Sequence, residues 1–201
     1  YFVVMNSIFP GEAVDRISER FDLKGSTLGR KASEEDKLRL ASKVVLKDLD
    51  LAEEIESKRV SDGRVICLGT HAKAAVMKQL RQDVAMLRRC SVIDYSLLVG
   101  IAPVASNVPR RRRIARSIRS FLAPKLYDGD EDAPLSSLEG LRKGNKAVVY
   151  LGLIDFLQPY NYKKMLEYRY KSLIHKKAAF SCVPPELYAL RFLDFLEQHV
   201  G

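Results

Sequence analysis

The sequence predicts a mixed fold of short strands and amphipathic helices. Two runs, residues 92–100 and 147–157, are almost continuously apolar, which is typical of buried strands. In residues 72–90 the apolar side chains recur instead at spacings of four and three, which indicates a helix. With 201 residues, of which 47% are hydrophobic, the chain can bury a core, and we expect one domain or two small ones.

The first half of the chain predicts short strands separated by charged or helical segments. Residues 1–6 are strand-like, and residues 20–24 predict a second short strand that ends at a glycine. Residues 31–43 carry many charges and are predicted to be helical or mobile. The helix at 72–90 then leads into the strand that contains Asp94.

The second half contains an insertion and a terminal helix. Residues 103–146 combine prolines, a run of arginines and an acidic stretch, which predicts an insertion or a long loop that is partly disordered. Residues 147–157 return to a strand, and residues 160–183 are polar and basic with interleaved tyrosines. A helix is predicted after Pro184-Pro185, and one of its faces carries Tyr188, Phe192, Phe195 and Leu196.

Charge and composition limit the classes of function. A net charge of +9 indicates an anionic partner, which could be a nucleic acid, a phosphate-bearing ligand or an acidic membrane face. The three cysteines have no CxxC spacing and predict reduced core thiols in a cytosolic protein, and the three histidines have no zinc-ligand spacing. No apolar run approaches the ~18 residues of a membrane span.

Two aspartates interrupt the apolar runs. Asp94 lies within Val92-Ile93-Asp94-Tyr95-Ser96, and Asp155 lies within Leu153-Ile154-Asp155-Phe156. Burying a carboxylate costs several kcal/mol unless a metal, a cation or a shared proton compensates it. The repeated arrangement predicts a functional site, although two structural carboxylates with local partners would produce the same pattern.

A lysine beside a glycine suits contact with phosphate. In Phe21-Asp22-Leu23-Lys24-Gly25-Ser26-Thr27 an extended backbone points Asp22 and Lys24 to the same side. The ammonium supplies charge, and the glycine lets the backbone approach closely. By itself the segment could be an ordinary hairpin edge with a surface ion pair. Combined with two carboxylates, it makes phosphoryl transfer plausible, because that chemistry needs Mg²⁺, a base and a cation.

Four motifs, taken in order, resemble the phosphatidylinositol phosphate kinase family. They are Phe21-Asp22-Leu23-Lys24-Gly25-Ser26-Thr27, Lys47-Asp48-Leu49-Asp50, Ile93-Asp94-Tyr95-Ser96-Leu97-Leu98 and Leu153-Ile154-Asp155. The resemblance implies an α/β (α+β), kinase-like fold. It also implies that residues 1–201 form the C-terminal lobe of the kinase domain, with the insertion at 103–146.

The resemblance also implies roles for single residues. Asp94 matches the catalytic aspartate, Asp155 matches the metal-binding aspartate, and Lys24 is expected near the transferred phosphate or the lipid headgroup. ATP is the implied co-substrate, with Mg²⁺, and Met5 and Asn6 belong to the hinge strand that meets the adenine. The family's glycine-rich loop and ATP-binding lysine precede the hinge, so we expect an absent N-terminal lobe and an inactive chain.

The segment after Asp155 is the one that decides the lipid substrate in this family. Glu167 falls where the 4-phosphate 5-kinases carry glutamate and the 5-phosphate 4-kinases carry alanine. Lys164 matches the first of two paired lysines, whereas Met165 departs from the second. The resemblance therefore implies phosphorylation of phosphatidylinositol 4-phosphate to the 4,5-bisphosphate, although Glu167 could also be a solvated helix charge.

The implied partners are a phosphoinositide headgroup, an anionic membrane surface and ATP, with no nucleic acid. The implied location is cytoplasmic, peripheral on the inner face of membranes. Residues 109–125 could form a basic amphipathic helix on such a surface or a solvated insertion. Two other functions stay open: an inactive membrane-binding member of the family, and a nucleic-acid-binding protein, which the charge allows but no motif supports.

Overall fold

The computed structural model describes residues 7–9, 14–40, 43–56, 66–104, 137–142, 145–174 and 180–200. The described part is a mixed α/β structure. Its strands are β1 (Glu19–Leu23), β2 (Val45–Lys47), β3 (Ile66–Leu68), β4 (Ser96–Pro103), β5 (Ser137–Arg142) and β6 (Asn145–Ile154). Its helices are α1 (Glu34–Leu40), α2 (Asp48–Glu56), α3 (Thr70–Arg89), α4 (Tyr162–Ile174) and α5 (Pro185–His199).

The strands form one sheet in the order β2-β1-β4-β6-β5-β3. β1 is parallel to β2, and the other neighbours are antiparallel. Leu23 at the end of β1 pairs with Leu97 near the start of β4, and Ser96 pairs with Ile154 at the end of β6. The end of β1, the start of β4 and the end of β6 therefore meet at one edge of the sheet.

β4 and β6 are nearly continuously apolar because they occupy the centre of this sheet and are covered on both faces. A Cβ atom built on Gly100 would lie 2.5 Å from the Phe9 ring, and one on Gly152 would lie 2.5 Å from Ile8. Glycine at these two positions therefore lets residues 8–9 pack directly on the strands. In the described residues, no helix has the length and apolar character needed to cross a bilayer.

Helices α3 and α5 cover the sheet and pack against each other. The predicted apolar stripe of α3 is confirmed, and its core side chains are Val76, Met77, Leu80, Val84 and Leu87. The predicted terminal helix is confirmed as well, and Tyr188, Phe192 and Leu196 are buried, whereas Phe195 is half-buried. An ion pair of 2.8 Å between Arg81 and Glu197 joins the exposed sides of the two helices.

The strands predicted to contain Asp94 and Asp155 are shorter than the apolar pattern predicts. β4 begins at Ser96, after Asp94, and β6 ends at Ile154, before Asp155. Asp94 has φ 67° and Asp155 has φ 61°, and a residue in this left-handed conformation cannot continue a strand. The prediction of carboxylates inside buried strands was therefore wrong, and both acids lie in turns at strand ends.

Three other predictions concern the cysteines, the first strand and the insertion. Of the three cysteines, which are free thiols, only Cys182 is buried in the core. The strand predicted at 1–6 lies outside the described residues, as does most of the insertion predicted at 103–146. The end of that insertion is strand instead, since β5 spans Ser137–Arg142, where Leu138 packs on the core and Gly140 approaches the Cys67 carbonyl.

Candidate active site

The sheet edge brings Lys24, Asp94 and Asp155 together. Lys24 Nζ lies 3.2 Å from Asp94 Oδ1 and 3.7 Å from Asp155 Oδ2, and it also donates a hydrogen bond to the Asp94 carbonyl. The sequence analysis named these three residues from separate motifs, and the register of β1, β4 and β6 explains why they meet. The arrangement is one ammonium shared by two carboxylates.

Exposure differs among the three side chains. The Asp94 side chain is 34% exposed and that of Asp155 is 61% exposed, whereas the Lys24 side chain is only 11% exposed. The carboxylates therefore face an open side of the site while the lysine approaches from within. The left-handed turns that present them cost about 1–3 kcal/mol each, a strain that proteins concentrate at functional sites.

The turns that carry the two aspartates are tied to each other and to α5. Ile93 donates a backbone hydrogen bond of 3.0 Å to the Gln158 carbonyl, which links the segment before Asp94 to the segment after Asp155. The Tyr188 hydroxyl on α5 donates to the Tyr95 carbonyl, and the two rings pack edge to face at 4.7 Å. These contacts hold the backbone on both sides of Asp94.

Asp48 anchors the turn that follows β1. Its Oδ1 accepts hydrogen bonds from the backbone N–H groups of Lys24 at 2.9 Å and Gly25 at 2.6 Å, and its Oδ2 accepts one from Arg30 Nε at 2.6 Å. Arg30 also pairs with Asp22 at 2.9 Å. Burial opposes the charge of Arg30, but Asp48 and Asp22 outweigh it and raise the pKa of the guanidinium.

The role of Asp48 escaped the sequence analysis, which placed this residue in a motif without assigning it a task. One signal was available, since a carboxylate at the start of a helix often accepts backbone N–H groups. The donors, however, belong to β1 and its turn rather than to α2 itself. That pairing depends on the parallel alignment of β1 with β2, in which Asp22 pairs with Lys47.

Helix α4 carries the two residues that were expected to bind substrate. Glu167 accepts hydrogen bonds from Lys164 at 3.0 Å and from Lys171 at 2.5 Å. The bond to Glu167 raises the pKa of Lys164, and attraction by Asp94 adds to that rise. The bond from Lys171 holds the pKa of Glu167 below its ordinary value. Lys164 therefore lies within electrostatic reach of Asp94, and Glu167 is occupied by two lysines of its own helix.

The carboxylates fit a divalent cation, although the described residues contain no group of three or more His, Cys, Asp or Glu side chains that could hold one. Asp94 and Asp155 already direct oxygens at one cationic group, the Lys24 ammonium. Magnesium commonly takes only one or two carboxylates from the protein and completes its shell with phosphate and water. The hinge residues Met5 and Asn6 lie outside the described residues and stay a prediction.

Comparison with known proteins identifies the family of the chain. The family model described as Phosphatidylinositol-4-phosphate 5-Kinase matches residues 1–199 of the chain. The chain belongs to the phosphatidylinositol-4-phosphate 5-kinase family. The family resemblance and the α/β fold class predicted from the four motifs are both confirmed.

Curated members of the phosphatidylinositol-4-phosphate 5-kinase family match nearly the whole chain. The human phosphatidylinositol 4-phosphate 5-kinase type-1 beta is 31% identical over 221 residues, which is 98% of this chain and 39% of that protein. Phosphatidylinositol 4-phosphate 5-kinase 3 of Arabidopsis thaliana is 32% identical over 225 residues, which is 98% of this chain and 30% of that protein. The chain thus spans 39% of the human relative's length and 30% of the Arabidopsis relative's length.

Proposed function

We propose that this chain is part of an ATP-dependent lipid kinase that phosphorylates phosphatidylinositol 4-phosphate at its 5-hydroxyl. The observation that carries the proposal is the meeting of Lys24, Asp94 and Asp155 at one sheet edge, in a chain of the phosphatidylinositol-4-phosphate 5-kinase family. Two accessible carboxylates and a lysine are among the groups that promote transfer of a phosphoryl group to an alcohol.

In the proposed reaction, the 5-hydroxyl oxygen bonds to the γ-phosphorus of ATP as the bond to the bridging oxygen breaks and ADP leaves. Asp94 orients the hydroxyl and accepts its proton, and Lys24 offsets negative charge on the transferred group. Asp155, with Asp94 beside it, would hold magnesium, which supplies positive charge to phosphate oxygens. The hydrogen bonds from Ile93 to Gln158 and from Tyr188 to Tyr95 hold the backbone beside these acids.

Substitution of Asp94 by asparagine tests the proposed reaction. In the protein expressed from its complete coding sequence, Asp94→Asn should lower kcat on phosphatidylinositol 4-phosphate by at least about 100-fold, because the base is lost while the shape is kept. The measurement is transfer of labelled phosphate from ATP to lipid vesicles. Asp36→Asn, a surface change on α1, is the control. A wild type without lipid phosphorylation, or a fully active Asp94→Asn, would contradict the proposal.

We also propose that Glu167 favours the 4-phosphate substrate by holding Lys164. A carboxylate would repel a phosphate group directly, whereas its hydrogen bond fixes the direction of a lysine whose charge Asp94 attracts. Glu167 is held in turn by Lys171 from the following helical turn. In this proposal Lys164 contacts the headgroup and Glu167 sets its position.

Helix α4 supports the proposal of a peripheral site on an anionic membrane. Its exposed apolar side chains include Leu166, Tyr170, Leu173 and Ile174. Lys163 and Arg169 are exposed on the same short helix. Apolar and aromatic groups that enter the headgroup region beside basic ones are the usual composition of a membrane-surface helix.

A further inference from the structure

The turn after β1 is clamped from two sides. On one side the Asp48 carboxylate, whose side chain is 2% exposed, accepts the N–H groups of Lys24 and Gly25. On the other side lies α5, because a Cβ atom on Gly25 would approach the Arg191 carbonyl oxygen to 3.0 Å. The backbone of Lys24 therefore has little freedom to shift along or away from the strand.

We propose that Asp48 is a positioning residue for Lys24, and that it acts on catalysis only through this lysine; the inference rests on the proposed function. Arg30 completes the arrangement, since it bonds to the free oxygen of Asp48 and also to the carbonyl and carboxylate of Asp22. Asp22, Arg30 and Asp48 thus link the last residues of β1 to the start of α2. With its backbone fixed in this way, Lys24 extends its Nζ atom to the carboxylates of Asp94 and Asp155.

Both carboxylate oxygens of Asp48 are needed as hydrogen-bond acceptors. All its donors come from the segment between Lys24 and Arg30, and both of its oxygens act as acceptors. An asparagine has only one acceptor oxygen, so its NH₂ group would face either the two backbone N–H groups or the Arg30 side chain. Asp48→Asn should therefore lose the hydrogen bonds either to the backbone N–H groups of Lys24 and Gly25 or to Arg30, while the side-chain volume stays nearly constant.

Asp50 offers a matched control on the same helix. It is also buried, and its carboxylate accepts backbone N–H groups from Ala32 and Lys47 at 2.9 Å and pairs with Lys37 at 2.8 Å. None of these three partners belongs to the Lys24 turn. Asp50→Asn therefore repeats the chemical change of Asp48→Asn, and its cost in stability, without touching Lys24.

The experiment is a double-mutant cycle on lipid phosphorylation in the protein expressed from its complete coding sequence. Asp48→Asn should lower kcat/KM for phosphatidylinositol 4-phosphate about 10- to 100-fold, because small misplacements of a catalytic group cost this much. Asp50→Asn should stay within about twofold of wild type at a temperature where thermal melts show both variants folded. The KM for ATP should not change in either variant.

The decisive arm uses Lys24→Met. In that background Asp48→Asn should cause less than about a twofold further loss, because Asp48 acts through the missing lysine. Additive losses, or equal effects of Asp48→Asn and Asp50→Asn, would overturn the inference. If Asp48→Asn does not fold, Arg30→Lys replaces it: a loss that Lys24→Met abolishes supports the clamp, and an additive loss refutes it.

The outcomes separate this inference from the function on which it rests. A wild type that phosphorylates no phosphoinositide removes the proposed function and the inference together. An active wild type in which the Asp48 and Lys24 effects add removes the inference alone and leaves the lipid kinase in place.

Discussion

Lys24 is the most buried of the three charged side chains that meet at the sheet edge, although the motif around it predicts only a phosphate contact. Its ammonium compensates two carboxylates that would otherwise repel each other. Under the proposed function, the same ammonium would offset negative charge on the transferred phosphoryl group. One residue thus stabilises the site at rest and is placed for the proposed chemistry.

Glu167 provides the test of substrate choice at the residue scale. Glu167→Ala frees Lys164, and we expect the preference for the 4-phosphate over the 5-phosphate lipid to fall about 10-fold, the size of a single lost positioning contact of ~1.4 kcal/mol. The measurement compares kcat/KM on the two monophosphates. Lys171→Met is the comparison variant, because it removes the other partner of Glu167 and leaves the bond to Lys164, so it should lower the preference less than Glu167→Ala does. An unchanged preference in Glu167→Ala contradicts the assignment.

At the scale of elements, the turn between β1 and α1 contains two glycines with nearly equal φ angles. Gly25 has φ 66° and Gly29 has φ 68°, so alanine would be strained to a similar degree at both. They differ in surroundings: the Cβ atom would meet α5 within 3.0–3.2 Å at Gly25 and nothing within 4 Å at Gly29. Sequence alone cannot separate these positions, because α5 lies far along the chain.

These two glycines make a matched pair for a stability measurement. Gly29→Ala should lower the free energy of unfolding by about 1–2 kcal/mol, which is the cost of the left-handed backbone. Gly25→Ala should lower it by about 3 kcal/mol or more, because overpacking against the α5 backbone adds to that strain. Urea denaturation of both variants measures the difference. Equal losses would show that the contact with α5 is not a constraint.

At the scale of the whole molecule, the buried Asp50 carboxylate joins separate segments and makes stability depend on pH. Burial alone would raise the pKa of Asp50, but hydrogen bonds from Lys37, Ala32 and Lys47 outweigh it and lower that pKa below its ordinary value of 3.8. Because the folded-state pKa is the lower one, the stabilisation is complete above pH 3.8 and is lost as the pH falls from there through the folded-state pKa.

Asp50→Asn should remove this dependence. At neutral pH the variant should be about 1–3 kcal/mol less stable than wild type, since charged hydrogen bonds are replaced by neutral ones. The difference should shrink as the pH falls below about 3.8, where the wild-type carboxylate is progressively protonated on unfolding. Urea denaturation over this range measures it, with Asp36→Asn as the exposed control. A constant difference at all pH values would contradict the assignment.

Much of the element pattern could be predicted because it is local. The periodicity of α3, the proline start of α5 and the apolar runs of β4 and β6 depend on neighbouring residues only, and the structure confirms them. The strand ends at Asp94 and Asp155 could not be predicted, because an apolar run does not show where a backbone turns left-handed. The functions of all the site residues stay predictions: Lys24, Asp94, Asp155, Lys164, Glu167, Met5 and Asn6.

By itself the sequence determined the class of fold and the family, and it predicted candidate site residues, because motifs and periodicity are properties of short segments. Only the tertiary structure decided which of those side chains meet. The strand order joins Lys24 to Asp94 and Asp155, sets Asp48 under the Lys24 turn, and pairs Arg142 of β5 with Glu19 of β1 and Glu54 of α2. These partners are far apart along the chain, and their contacts depend on sheet order and register, which no local pattern encodes.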